Sequence, residues 1–366
     1  MRFEQRSGRS GDSYAPVHQP EPAQLYRRRP FDPVFRGRPV RPNEPASEGF
    51  FPSLAGATTW INSPALSPAT LRGRIVLVNF CTYSCINWLR SLPYVRAWAD
   101  RYRNRGLETI GVHSPEFEFE KDVDNVRRAM QELRIDYPIA VDNEHEVWRA
   151  FGNQYWPATY LIDAQGRIRN RHFGEGGYED SERILRDLVS EAGMGTIDGA
   201  LVTPAARGVE AAADWTSLKS PETYLGYERT RNFASPGGAA RNMRSIYTAP
   251  TPLRLNHWAL SGDWMLKKGS VLLGNAGGRI ACRFHARDLH LVMGPGARGM
   301  EMPFRVRIDG KPPADAHGID TDYDGNGRVV RPRLHQLIRQ AGPIRDRQFQ
   351  IEFPDAGVEA FSFTFG

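Results

Sequence analysis

Val78-Asn79-Phe80-Cys81-Thr82-Tyr83-Ser84-Cys85-Ile86-Asn87-Trp88 joins an apolar run to a helical pattern. Residues 74–79, Arg-Ile-Val-Leu-Val-Asn, are nearly continuous in apolar character, as a central strand covered on both faces requires. Ile86, Leu89, Leu92 and Val95 then recur at threes, with Tyr102 further on, so a helix opens just after Cys85. A cysteine at a helix N-terminus meets unpaired backbone N–H groups and the positive end of the dipole. Both favour the thiolate, which makes Cys85 the reactive candidate.

Working outward, Leu107–His113 reads as a second strand. Phe119, Val123, Val126, Met130 and Leu133 form a helical stripe. Glu144–Phe151 fits a short helix. Thr159–Asp163 and Arg167–Phe173 read as strands joined by a turn at Gln165-Gly166. A last helix carries Ile184, Leu185, Leu188 and Val189, completing the order βαβα(α)ββα. Residues 194–214 are weakly patterned and rich in Gly and Ala, as in a linker. Beyond them the period becomes two. Ile280, Cys282 and Phe284 alternate with Ala281, Arg283 and His285; Leu289–Met293, Phe304–Ile308, Phe349–Phe353 and Phe361–Phe365 repeat the pattern. Half-buried strands between Gly/Pro turns predict an all-β sandwich, jelly-roll-like, over 215–366.

The chain has 366 residues, of which 40% are hydrophobic, enough for two domains with real cores. Three cysteines exclude a disulfide-stapled miniprotein and a multi-cysteine zinc protein. A net charge of +6, from 48 basic against 42 acidic residues, does not call for a nucleic-acid partner. Residues 1–48 read as a flexible tail, with an arm for anionic lipid or nucleic acid as the alternative; eight prolines fall in the first fifty positions. Arg27-Arg28-Arg29 lacks the apolar stretch of an export signal, and no run is long enough to span a bilayer. As written, the chain is expected in the cytoplasm.

A parallel half feeding an antiparallel hairpin resembles the α/β thioredoxin fold. The chain resembles the thioredoxin-like C-terminal region of DipZ-type proteins, relatives of the TlpA-type thiol–disulfide oxidoreductases. The carriers are Phe50–Leu66, Thr82–Asn87, Leu92–Trp98, Gly111–Phe117, Asn153–Ala158, Phe173–Gly176, Ser220–Glu228 and Phe284–Leu289. The resemblance implies a thioredoxin-like domain over 49–193 and a carbohydrate-binding-module-like β-sandwich over 215–366, usually extracytoplasmic. The family usually carries Trp where Cys81 stands and its second active-site cysteine where Trp88 stands, so here the two residue types are exchanged. Cys85 matches the attacking cysteine, and Pro157, after Trp156, matches the family's cis-proline.

The exchange has a chemical consequence. A dithiol enzyme releases its mixed disulfide by attack of a second thiol, and position 88 has none. Cys81 can take that role only if its Cα lies within about 7 Å of that of Cys85 with converging Cβ vectors; the alternative is a small buried apolar residue. Trp88, one turn beyond Cys85, is expected to fill the volume that a tryptophan at 81 would occupy. Asn79 stands where many thioredoxins carry a buried acid, and an amide cannot shuttle a proton. Glu116 and His113 are substitute candidates, against the plainer reading of a loop acid and a strand-end histidine. Thr82-x-x-Cys85 also matches half of a peroxidatic motif whose proline is replaced by Val78.

In the second half, Asp320-x-Asp322-x-Asp324-Gly325-Asn326 looks like half of a calcium loop, but Arg331 stands where the bidentate acid belongs, so a solvated turn competes. Cys282 and His285 fall on opposite strand faces, which assigns Cys282 to the core. Tyr224, Tyr227, Trp258 and Trp264 offer either a sugar-stacking surface or ordinary packing. No cofactor or metal is expected. The expected partner is a thiol- or disulfide-bearing protein or a small thiol, with a glycan at the β-domain as a further candidate. The rival class is a binding protein that docks an extended peptide beside Pro157, or a glycan, without redox turnover.

Overall fold

The computed structural model describes residues 49–366. The tail expected over 1–48 lies outside the described residues. The first sheet has six strands: β1 (Thr59–Ile61), β2 (Ile75–Cys81), β3 (Leu107–His113), β4 (Ile139–Val141), β5 (Ala158–Ile162) and β6 (Ile168–Phe173). Their order is β1-β4-β3-β2-β5-β6. β2, β3 and β4 are parallel, whereas β5 and β6 form an antiparallel hairpin beside β2. This is a thioredoxin-like sheet. Every residue of β2 is buried, as its unbroken apolar run requires of a central strand.

Among the described residues, four α-helices accompany this sheet: α1 (Ile86–Tyr102), α2 (Val123–Glu132), α3 (Glu146–Ala150) and α4 (Tyr178–Glu191). Pro93 sits inside α1, where it removes one backbone donor from the helix ladder. α1 and α4 are tied by Glu182, which accepts from Trp98 Nε1 at 3.1 Å and from Tyr102 Oη at 2.6 Å. Sequence periodicity passes over β1 and β4 because each has only three residues, too few to display a period.

The second sheet has eleven strands between Thr223 and Phe365, every pairing antiparallel, in a curled arrangement consistent with a β-sandwich. Its core holds Trp258, Trp264, Phe284, Phe349, Phe353 and Phe363. Strands Met302–Ile308 and Arg347–Phe353 alternate between core and solvent as read from the sequence. Strands Asp288–Pro295 and Val358–Phe365 instead bury almost every residue. The reason lies across the molecule. Val292, Leu334 and Phe361 face away from the second core and join the first, where Phe361 packs 5.2 Å from Phe117 and 4.8 Å from Phe119 between ring centres.

The 194–214 stretch contains no strand, but it is tied down. Val202 N–H donates to Glu182 at 2.8 Å, Arg186 donates to the carbonyls of Gly199 and Ala200, and Glu210 pairs with Arg96 at 2.8 Å. Further ion pairs cross the halves, between Arg331 and Glu132 at 2.6 Å and between Arg298 and Asp122.

Three second-half expectations resolve here. Trp258 and Trp264 are fully buried, so the sugar-stacking surface that included them is corrected to core packing. Cys282 lies in the second core, while His285 pairs with Asp346 at 2.7 Å. Asp320 is taken by Arg333 and by the Gln336 N–H, leaving Asp322 to accept from Asn326 in a turn rather than open a calcium loop. No helix among the described residues is long and apolar enough to cross a membrane.

Candidate active site

β2 ends at Cys81 and α1 begins at Ile86, so residues 82–85 make the whole connection. Cys85 is the N-cap of α1, with φ −79° and ψ 116°. Its N–H donates to the Thr82 carbonyl at 3.1 Å, and its own carbonyl accepts from Leu89 at 3.0 Å. The turn is pinned from beneath by Glu120, a fully buried carboxylate. Glu120 Oε1 accepts from Ser84 Oγ at 2.5 Å and from Ser84 N–H at 3.3 Å. Its Oε2 accepts from the N–H groups of Glu116 and Phe117 at 2.7 and 2.9 Å. One side chain thereby aligns the two loops that flank the thiol.

The Cys85 sulfur lies 4.0 Å from the Trp156 carbonyl oxygen, and the Trp156–Pro157 peptide is cis. Pro157 leads straight into β5, which pairs with β2 from Phe80 to Val76. The active-site helix and the proline loop are therefore held by neighbouring strands.

Trp88 is fully buried in the first turn of α1, and its Nε1 donates to Asn79 Oδ1 at 2.8 Å. Asn79 Nδ2 in turn donates to Thr159 Oγ1 at 3.1 Å. Asn79 and Cys81 are two apart on β2 and so share a face, which places the Trp88 ring over the face that Cys81 occupies. Cys81 itself is 1% exposed, with its sulfur 3.4 Å from the Val112 carbonyl. Cys81, Cys85 and Cys282 are all free thiols.

Cys85 is only 6% exposed. Burial pushes its thiol well above the ordinary range, and the Glu116 charge adds to this; the N–H groups of Trp88 and Asn87 pull the other way. The helix terminus thus acts as read from the sequence, but desolvation outweighs it, and the expectation of a favoured thiolate is corrected. Burial likewise raises Cys81. His113 is fully buried, stacks on Tyr83 and is pushed down to about 3 by desolvation, so it is a neutral core histidine. Glu116 is committed elsewhere: its Oε1 accepts from Tyr224 Oη at 2.7 Å and from Arg229 Nη1 at 3.0 Å. Glu120, Glu222 and Arg229 are the residues that sequence reasoning missed. Glu120 sits in an alternating Phe-Glu-Phe-Glu run without a catalytic spacing, and the other two lie more than a hundred residues from Cys85.

Residues 53–171 match the model of the AhpC/TSA family, and residues 220–366 match that of the thioredoxin-like C-terminal domain. Protein DipZ of Mycobacterium tuberculosis is 37% identical over 322 residues, covering 87% of this chain and 43% of DipZ. The chain therefore spans less than half the length of that relative. The thiol-disulfide oxidoreductase YkuV of Bacillus subtilis is 29% identical over 140 residues, covering 38% of this chain and 94% of YkuV. A solution structure of a thioredoxin-like protein in the oxidized form covers 39% of this chain and 96% of its own, at 29% identity and a TM-score of 0.37.

Proposed function

We propose that this chain, thioredoxin-like in its first half and similar to DipZ over most of its length, is a thiol–disulfide redox protein that reacts through Cys85 alone. The observation that carries the reading is the placement of the Cys85 sulfur against the Trp156 carbonyl, before Pro157, with an indole instead of a thiol one turn along α1. The carbonyl and its loop form an edge on which an extended, disulfide-bearing peptide can lie. The reading divides the chain at 49–193, 194–214 and 215–366.

The chemistry has two steps. The Cys85 thiolate attacks a disulfide R–S–S–R′, forming the Cys85–S–S–R bond and expelling R′S⁻. With no thiol at 88, and Cys81 turned to the Val112 carbonyl, release needs an external thiolate. That thiolate attacks the mixed disulfide, takes R and returns Cys85 as thiolate.

The test treats the purified chain with an aromatic disulfide and weighs the product. A single stable adduct on the Cys85 peptide, absent from Cys85→Ser, is expected. Insulin reduction with dithiothreitol should stay at the thiol-only background. A rate well above background would remove the single-cysteine part of the reading.

The shielding of Cys85 favours a second reading, a non-catalytic protein that holds a peptide beside Pro157. An inert Cys85 under the same treatment would select it. Conversion of Cys85 to a sulfenic acid by mild peroxide would instead select one-cysteine peroxidase chemistry.

A further inference from the structure

A cavity of about 250 Å³ lies between the two halves of the molecule. Its walls come from stretches far apart in sequence. Tyr83 and Leu89 flank the start of α1, Ala129 and Leu133 lie at the end of α2, and Ile319 and Leu334 belong to the second half. Most of this lining is apolar. Leu89 and Leu334 are buried, whereas Ile319 is 63% exposed, so the cavity opens to solvent beside a large apolar side chain.

Five charged side chains complete the lining, and four of them cancel. Arg331 pairs with Glu132 at 2.6 Å, and Arg333 pairs with Asp320 at 2.5 Å. Asp320 also accepts from the Gln336 N–H at 2.8 Å. Arg128 is left over. Asp124, one turn before it on α2, is taken by Arg127 at 3.0 Å, and among the described residues no carboxylate pairs with Arg128. The cavity therefore carries one positive charge in excess, which repels a cation and favours a single anionic group.

Tyr83 adds a further polar group. It is 6% exposed and stacks on His113 with ring centres 5.6 Å apart, and its buried hydroxyl has no hydrogen-bond partner. Buried hydroxyls are as a rule partnered.

We propose that this cavity is a binding site for a small monoanion with an apolar body, a carboxylate or sulfonate whose acid group sits on Arg128 and whose body lies against Leu89, Ile319 and Leu334. A guanidinium presents parallel N–H donors that match such an acid group. Apolar walls with a few placed polar groups are the ordinary make-up of a small-molecule site, and a volume just below the usual range of roughly 300–1,000 Å³ limits the ligand to a small one. No thiol chemistry enters, so the proposal stands independently of the Cys85 reading.

The experiment titrates the full chain with anilinonaphthalene sulfonate, following its fluorescence, with calorimetry for the stoichiometry. One saturable site is expected. Arg128→Gln, at an exposed position, should weaken binding by about tenfold, as loss of a charge-assisted hydrogen bond does. Arg127→Gln removes the same charge one residue away, outside the lining, and should leave the affinity unchanged. Phenylnaphthylamine, the same body without the sulfonate, should bind at least about tenfold more weakly and be indifferent to Arg128→Gln. Ala129→Trp fills the cavity while keeping every charge and should abolish binding. The proposal is overturned if the wild type shows no saturable site, if the uncharged probe binds as tightly as the sulfonate, or if Arg128→Gln binds no more weakly than Arg127→Gln. Full binding by a folded Ala129→Trp overturns it as well; if that variant does not fold, the two arginine variants decide.

Discussion

The Trp88 indole donates to Asn79 Oδ1 at 2.8 Å, with both side chains fully buried. The resemblance to dithiol thioredoxins assigns a resolving thiol to the first of these positions and a buried acid to the second. Here a bulky donor and a neutral acceptor satisfy one another. Their pairing gives the base of the site a structural role that neither residue has alone. Trp88→Phe keeps much of the volume but strands the buried Asn79 oxygen, at an expected cost of about 1–3 kcal/mol. Trp88→Cys restores the Cys-x-x-Cys spacing but empties a large site, costing about 3–5 kcal/mol. Urea unfolding measures both. The second variant should also raise insulin reduction above background at a temperature where it remains folded.

Glu120 holds four donors drawn from the Ser84 turn and the loop after β3. Glu120→Ala leaves them without their acceptor inside the protein. A loss of at least about 3 kcal/mol is expected, with faster alkylation of Cys85 as the two loops part. An unchanged urea midpoint would contradict the role assigned to this carboxylate.

Arg90 and Glu175 form a buried pair at 3.3 Å, and Arg90 also reaches the Phe365 carbonyl in the second sheet at 3.5 Å. Burial lifts the Glu175 carboxyl to about 7 despite the pull of Arg90. An acid raised in the folded state contributes stability below its unfolded value, near 4.5, and loses it as pH rises through 7. Arg90→Leu removes the counter-charge and raises the carboxyl further. The variant should be destabilised by about 3–5 kcal/mol at alkaline pH, and much less in mild acid, where Glu175 is neutral. Thermal melts across that range decide it; an equal loss at every pH would refute the pairing argument.

His113, His290 and His335 are each pushed down to about 3, with burial as the first cause in every case. The unfolded chain takes up protons near 6.5 that the folded chain refuses. Stability is therefore full above that value and falls as pH drops from it toward 3, by up to about 1.4 kcal/mol per pH unit for each histidine. Urea midpoints measured from neutral to mildly acid pH should show the steep loss. His290→Gln should reduce the slope by up to about 1.4 kcal/mol per pH unit. A wild-type slope no steeper than the variant's would show that the histidine titrates in the folded protein.

Strands and helices of the first half were legible because their residues repeat local rules. β3 appears over the same residues as its apolar run, and β6 follows the Gln165-Gly166 turn. The strand Trp258–Leu266 was not legible, because its central Ser261, Gly262 and Asp263 interrupt the period of two. The position of Cys85 at a helix start was equally local. Its protonation was not, since the burial that raises the thiol comes from groups far along the chain.

Alternation and helical spacing specified an α/β half and a β-rich half, and the Val78–Trp88 segment put Cys85 at a helix start with Trp88 one turn beyond. These depend on neighbours within a few residues, where periodicity decides which face is apolar. The tertiary structure decided that the halves share a core through Phe361, that Tyr224 and Arg229 hold Glu116, and that Cys85 is shielded. Those outcomes depend on solvent exclusion and charge between residues more than a hundred positions apart, a relation that no local pattern encodes.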